Sequence, residues 1–154
     1  MKVGPVAIAR AMIKHASPIG GEGNGGVVFP DFQYCRDGGM ASAAMVEAIA
    51  RHGPISKILE KLPTYYMSKR KVDCPNELKG LVVEKSLEHF TDKKVEYVTI
   101  DGVKAYLEDG WVLIRPSGTE PIIRVEGESE DVNKVEKITS LYIERVKGWI
   151  EEAK

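Results

Sequence analysis

Two Asp-Gly pairs eight residues apart, Asp101-Gly102 and Asp109-Gly110, constrain this chain more than any other feature. Asp-Gly is a strong hairpin signal, because glycine reaches the positive φ that tight turns between twisted strands require. The residues around the pairs are rich in valine, isoleucine, tyrosine and tryptophan, which suit a half-buried pleated surface. The spacing predicts three strands in quick succession: Val95 to Ile100, Val103 to Leu107 and Trp111 to Arg115. A short loop then leads to a fourth, Ile122 to Glu126, and Tyr65 to Val72 is strand-like upstream. Pro75 opens a helix with Leu78, Leu81 and Val82 on one face. Ser129 is a candidate cap for a last helix, with Glu130 and Asp131 in its first turn. Val132, Val135, Ile138, Tyr142, Val146 and Trp149 repeat there at helical spacing and predict a core-facing stripe. Residues 65–154 therefore read as a compact α+β domain.

The preceding section has a different character. After Gly4-Pro5 a helical pattern uses Val6, Ala9, Met12 and Ile13 as its apolar stripe. A glycine-rich loop follows, then a short strand at Val27-Val28-Phe29. Asp37 is the expected N-cap of a second helix, rich in alanine, that Gly53-Pro54 stops. Residues 1–53 form one section, and residues 54–64, with Ile55, Ile58, Leu59 and Leu62, a short linker helix.

Charge and cysteine content narrow the function classes. The 22 basic and 23 acidic residues leave a formal net charge of −1, so no broad field attracts nucleic acid or an anionic membrane. Tyr65-Tyr66 and Lys69-Arg70-Lys71 read as a solvated strand, since no aromatic-basic repeat develops. No apolar run approaches membrane-spanning length, and the start lacks a signal-peptide pattern, so a cytoplasmic location is expected. Cys35 and Cys74 form no metal motif and are expected to be structural thiols. His15, His52 and His89 lack ligand spacing and are expected on helix surfaces.

Chemistry concentrates in two loops. Arg115-Pro116-Ser117-Gly118-Thr119-Glu120-Pro121 has the components of a phosphate site. Arg115 supplies a planar fork of donors and Arg124 a second one. Ser117 and Thr119 add hydroxyls, and Gly118 lets backbone approach an anion. On residues alone, a polar hairpin turn with two surface arginines reads equally well. In the other loop, Gly20-Gly21-Glu22-Gly23-Asn24-Gly25-Gly26, Glu22 can accept from two neighbouring sugar hydroxyls, with Asn24 beside it. Alone, that loop reads as an ordinary turn.

Both motifs resemble those of the α-D-phosphohexomutase superfamily, which includes phosphoglucomutase, phosphomannomutase and phosphoglucosamine mutase. Val112 to Glu128 is similar to the signature near the C-terminus of that family, and Gly20 to Gly26 to the sugar-binding loop of its third domain. Phe29 to Met40 resembles the archaeal branch. The two motifs stand in the family's order, and the resemblance covers essentially the whole chain. Relatives often have serine where Asn24 stands, histidine where Gly26 stands, and Asp or His where Pro5 stands.

The resemblance implies the C-terminal half of the sugar-binding third domain at 1–53 and the phosphate-binding fourth domain at 65–154. The latter is expected to be a TATA-binding-protein-like antiparallel sheet with two helices on one face, preceded by a partial α/β domain. Glu22 and Asn24 would hold sugar hydroxyls; Arg115, Ser117, Gly118, Thr119 and Arg124 would hold the nonreacting phosphate of a hexose phosphate. Nothing in the chain resembles the family's phosphoserine loop or its aspartate-rich Mg²⁺ loop. The resemblance therefore assigns this chain no catalytic residue, metal ligand or cofactor; Mg²⁺ and a hexose bisphosphate primer belong to the complete family enzyme. The expectation is a truncated or split mutase that is inactive alone, partnered by the missing N-terminal mutase domains or self-associating through its partial third domain. The alternative is a stand-alone noncatalytic phosphate-ligand-binding or assembly module.

Overall fold

A computed structural model describes residues 4–153. The chain forms two compact units, Met1–Pro63 and Thr64–Lys154.

In the first unit, helix α1 (Pro5–His15) starts on a proline, whose missing N–H is no loss in a first turn. The helix ends at Ala16 in the left-handed conformation, φ 47°. Strands β1 (Gly20–Gly21) and β2 (Val27–Val28) pair antiparallel and close the glycine-rich segment into a hairpin. The apolar stripe of α1 is rotated from the predicted one. Ile8 and Met12 pack inward with Val28, whereas Val6 and Ile13 are exposed. Ile8 and Met12, four residues apart, share a face that meets the hairpin backbone. At Gly20 a Cβ would come 2.3 Å from Met12 Sδ. Helix α2 (Gly38–His52) starts at Asp37, whose Oδ1 accepts from the Met40 N–H at 2.7 Å, and stops at Gly53, φ 85°. No residue of α2 is buried; Met45, Val46 and Ile49 are exposed. Helix α3 (Ile55–Leu59) is short and packs against α2. Cys35 is exposed, so the structural role expected of it does not hold; Cys74, in the second unit, is buried.

The second unit is an antiparallel sheet of five strands in the order β3-β7-β6-β5-β4. These are β3 (Tyr66–Asp73), β4 (Tyr97–Val98), β5 (Val103–Leu107), β6 (Gly110–Pro116) and β7 (Ile122–Ser129). Helices α4 (Lys79–Asp92) and α5 (Val132–Glu151) cover one face. Side chains alternate between faces along each strand. Val72, Val103, Ala105, Val112, Ile114, Ile123 and Val125 enter the core against Val82, Phe90, Ile138, Tyr142, Val146 and Ile150 of the helices. Gly127 fits under α5, where an added Cβ would lie 2.9 Å from Thr139 Cγ2.

Several expected boundaries shift. Strand β4 keeps two residues, because Lys94 (φ 54°) and Val95, whose N–H reaches the Phe90 carbonyl at 3.0 Å, turn the chain out of α4. Leu107 pairs with Gly110, so the two-residue turn is Glu108-Asp109 and not Asp109-Gly110. Position 110 requires glycine on two counts: its φ is 144°, and a Cβ there would sit 2.0 Å from the Glu128 carbonyl oxygen. Asp131, rather than Ser129, caps α5; its Oδ1 accepts from Asn133 N at 2.7 Å and Lys134 N at 3.3 Å. Ser129 is held in β7 by its pairing with Tyr66. Val132 is consequently exposed, and Ile150 completes the buried stripe. The 3₁₀ turn Asn76–Leu78 precedes α4 where a continuous helix was expected.

His89 is half-buried rather than fully on the helix surface. Its ring packs edge-on to Phe90 and Tyr142 and tilted against Trp149 between α4 and α5, and its Nε2 is buried without a hydrogen bond. Burial, then the nearby Arg145 and Lys93, hold its pKa below the ordinary histidine value.

Candidate functional site: a cationic rank beside the loop joining two strands

Antiparallel register puts Arg115 of β6 opposite Arg124 of β7, and Arg124 opposite Lys71 of β3. Paired residues share a sheet face, so three cations stand in one rank on the face away from the helices. Like charges directly opposite destabilise a sheet unless something compensates them. Two carboxylates do so here. Glu126 Oε1 lies 3.4 Å from Arg115 Nη2, both side chains being mostly buried. Glu120 accepts from Arg124 and lies 3.5 Å from Lys71 Nζ. The compensation is incomplete: Arg115 Nε is buried without a hydrogen-bond partner. A buried charged donor left unpaired costs on the order of 1–3 kcal/mol or more.

The connecting loop, residues 117–121, is ordered from within. Ser117 N–H donates to the Ile122 carbonyl at 3.0 Å and closes the hairpin. Ser117 Oγ accepts from Glu120 N at 3.2 Å and Thr119 N at 3.4 Å. Ser117 is itself buried, so its hydroxyl shapes the turn and does not project into solvent. Gly118 and Thr119 are exposed. No contact explains glycine at 118, since an added Cβ would meet nothing within 4 Å. The Gly118 N–H has no acceptor among the described residues. From below, Lys79 at the start of α4 donates through Nζ to the Ser117 carbonyl at 2.7 Å and the Glu120 carbonyl at 2.6 Å. Sequence reasoning missed Lys79. Its separation from the loop, 38 residues to Ser117, leaves no local signal.

In the first unit, Glu22 and Asn24 sit in the β1–β2 connection. Glu22 N–H donates to the Gly26 carbonyl at 2.9 Å, and Gly25 N–H to the Glu22 carbonyl at 3.0 Å. Asn24 Oδ1 accepts from Gly26 N at 3.1 Å, a local turn bond on an exposed residue. Glu22 Oε2 lies 3.1 Å from Arg36 Nη1, yet is buried without a well-formed hydrogen bond. Arg36 is the second residue the sequence did not single out. Gly26 makes room for it, since a Cβ there would be 2.2 Å from Arg36 Cδ.

A cleft of about 470 Å³ opens at the opposite end of β6 and β7, lined by Trp111, Glu128, Asp131 and Lys134 among others. Its polar groups are engaged locally: Trp111 Nε1 donates to Glu128 at 2.9 Å, Lys134 pairs with Asp109, and Asp131 caps α5. The cationic rank is instead an open surface site. Among the described residues no three His, Cys, Asp or Glu side chains converge as metal ligands would.

An antiparallel sheet backed by two helices, carrying an arginine pair beside an ordered Ser-Gly-Thr loop, defines an α+β domain with a cationic rank at one end of its open face. Comparison with known proteins identifies both units. Residues 1–66 match the phosphoglucomutase/phosphomannomutase alpha/beta/alpha domain III, and residues 70–141 match the phosphoglucomutase/phosphomannomutase C-terminal domain. A probable phosphoglucosamine mutase of Methanopyrus kandleri is 36% identical over 154 residues, covering 99% of this chain and 34% of that protein. A phosphoglucomutase/phosphomannomutase of Thermococcus kodakarensis is 43% identical over 143 residues, covering 92% and 31%. A crystal structure of a phosphoglucomutase/phosphomannomutase family protein from Burkholderia thailandensis superposes with TM-score 0.76 at 25% identity, over 96% of this chain and 32% of that one. The chain belongs to the phosphohexomutase superfamily and corresponds to its domains III and IV. It spans about a third of the length of these relatives.

Proposed function

We propose that this chain is the substrate-recognition portion of a phosphohexose mutase and binds the nonreacting phosphate of a hexose phosphate at the cationic rank. Arg115, Arg124, the Gly118 N–H and the Thr119 hydroxyl are the donors; Ser117 keeps the loop in shape. The carrying observation is the cross-strand pair Arg115–Arg124 with its buried, unpartnered Arg115 Nε. A phosphate dianion supplies the acceptor that Glu126 and Glu120 do not fully provide. It also relieves repulsion along the rank. Glu22 and the Asn24 amide serve as the sugar-hydroxyl contacts, with Arg36 holding the carboxylate.

Binding of this kind leaves the far end of the sugar phosphate free to react. That suits a reaction in which one phosphate is anchored while phosphoryl transfer occurs at the other end. The phosphoryl donor, the metal and any general acid or base come from the other domains of the complete mutase. The test is titration with a hexose 6-phosphate followed by amide NMR. Shifts are expected at residues 115–124. Shifts scattered elsewhere, or an Arg124→Ala chain that binds as tightly as the parent, overturn the reading.

A further inference from the structure

We infer that Lys79 is a positioning residue of this phosphate site: it orients and polarises the Ser117–Gly118 peptide so that the Gly118 N–H donates to the anion. The inference rests on the phosphate reading given above. It adds a residue from α4 that touches neither arginine.

Lys79 Nζ donates to two carbonyls of one short loop, Ser117 at 2.7 Å and Glu120 at 2.6 Å, in a partly buried setting. Charge-assisted bonds of this length are the stronger class. No cis peptide occurs among the described residues, so the N–H of Gly118 points opposite to the Ser117 carbonyl. The ammonium that holds this carbonyl therefore turns the Gly118 N–H away from α4. Gly118 is exposed, and its N–H lacks an acceptor among the described residues. The other loop N–H groups are engaged: Ser117 to Ile122, Thr119 and Glu120 to Ser117 Oγ, and Ile122 to the Glu120 carbonyl. Position 121 is proline and has no N–H. Gly118 is thus the one N–H of this loop left to bind a ligand. A positive charge on the oxygen side of its peptide makes it a better donor. The ammonium would also stabilise a bound anion through space.

A merely structural Lys79 would lower stability and leave the anion's response unchanged, so the test reads both. The full chain is titrated with inorganic phosphate and with a hexose 6-phosphate while the Gly118 amide is followed by NMR. In the parent, the Gly118 signal should move downfield on saturation. In Lys79→Met the affinity should drop about tenfold, the worth of one charge-assisted bond, and the Gly118 displacement should shrink. Lys79→Arg keeps the charge and can span both carbonyls, and should bind within about threefold of the parent. Intact β6 and β7 amide signals establish that each variant is folded. If Lys79→Met is unfolded, the parent's Lys79 Nζ signal decides: it should shift with phosphate, and a stationary signal overturns the inference. A folded Lys79→Met that binds as the parent does, with the same Gly118 displacement, also overturns it. A parent that shows no binding at residues 115–124 sinks the phosphate reading itself, which is a different outcome.

Discussion

Arg115 and Arg124 stand side by side as a fork pair because β6 and β7 hold them in register, not because they are near in sequence. Removing either to alanine should weaken hexose 6-phosphate binding by roughly ten- to a hundredfold, at about 1.5–3 kcal/mol per charged hydrogen bond. Replacement by lysine should recover only part of this, since a point charge lacks the fork. Isothermal titration of the two pairs of variants checks both statements; full recovery by lysine would reduce the site to bulk charge. A second residue-level expectation concerns pH. Burial, Arg145 and Lys93 depress the pKa of His89 in the folded protein, with Asp92 opposing them. The unfolded chain therefore binds this proton at higher pH than the folded one. As pH falls through the unfolded value of about 6.5, stability is lost until the folded pKa is reached. Above that range the site contributes no pH dependence. Urea midpoints at pH 5.5 and 7.5 should converge in His89→Phe relative to the parent; equal slopes in the two proteins would remove His89 from the account. The arginines were legible in the sequence because they flank one loop. Lys79, Arg36 and the burial of His89 were not, because each depends on contacts between distant segments.

At the scale of elements, hairpin signals and caps carried much of the fold, and their failures have a common cause. Asp37 capped α2 as its sequence implied: Oδ1 accepts from the Met40 N–H while Oδ2 accepts from Gln33. Ser129 did not cap α5, because the ladder with β3 runs to the Tyr66–Ser129 pair and leaves Asp131, which lies outside it and next to the helix, to cap. The Asp109-Gly110 pair marked a turn correctly but was displaced by one residue, because Gly110 is needed within the strand where the Glu128 carbonyl crowds it. Periodicity placed Met12 correctly in the α1 stripe but chose Val6 and Ile13 over Ile8, since all three are apolar and only the hairpin opposite decides between them. Two substitutions separate these effects. Gly110→Ala meets both a positive φ and a 2.0 Å contact, and should destabilise the second unit by about 1–3 kcal/mol or more. Gly118→Ala meets nothing within 4 Å and should leave the thermal midpoint nearly unchanged. If the two variants melt alike, the local reading of these turns is wrong.

The two units differ in how well each is filled, and this governs what the whole molecule should do. The second unit buries a continuous core from its sheet to both helices. The buried cluster of the first unit is Ile8, Met12 and Val28. Met45, Val46 and Ile49 of α2, with Val6 and Ile13 of α1, remain exposed. Small cores rarely stabilise a fold alone, and large exposed apolar side chains favour association. Purified as these 154 residues, the protein should self-associate, and Ile13→Lys with Val46→Lys should shift it toward monomer. Light scattering across a wide concentration range measures this, and a parent that stays monomeric contradicts it. The same chain should not interconvert hexose 1- and 6-phosphates. Phosphoryl transfer needs a donor group and a metal clamp at the reacting end. In the proposed reading the cationic rank positions the substrate, and the donor and the metal clamp belong to the other domains of the complete mutase. Assays with Mg²⁺ and a hexose bisphosphate primer should read background. Supplying the family's first and second domains in trans should raise turnover, and Arg124→Ala should then abolish most of the gain while leaving the association of the parts intact. Turnover by the chain alone that survives repurification and is insensitive to Arg124→Ala would place the chemistry in residues other than these.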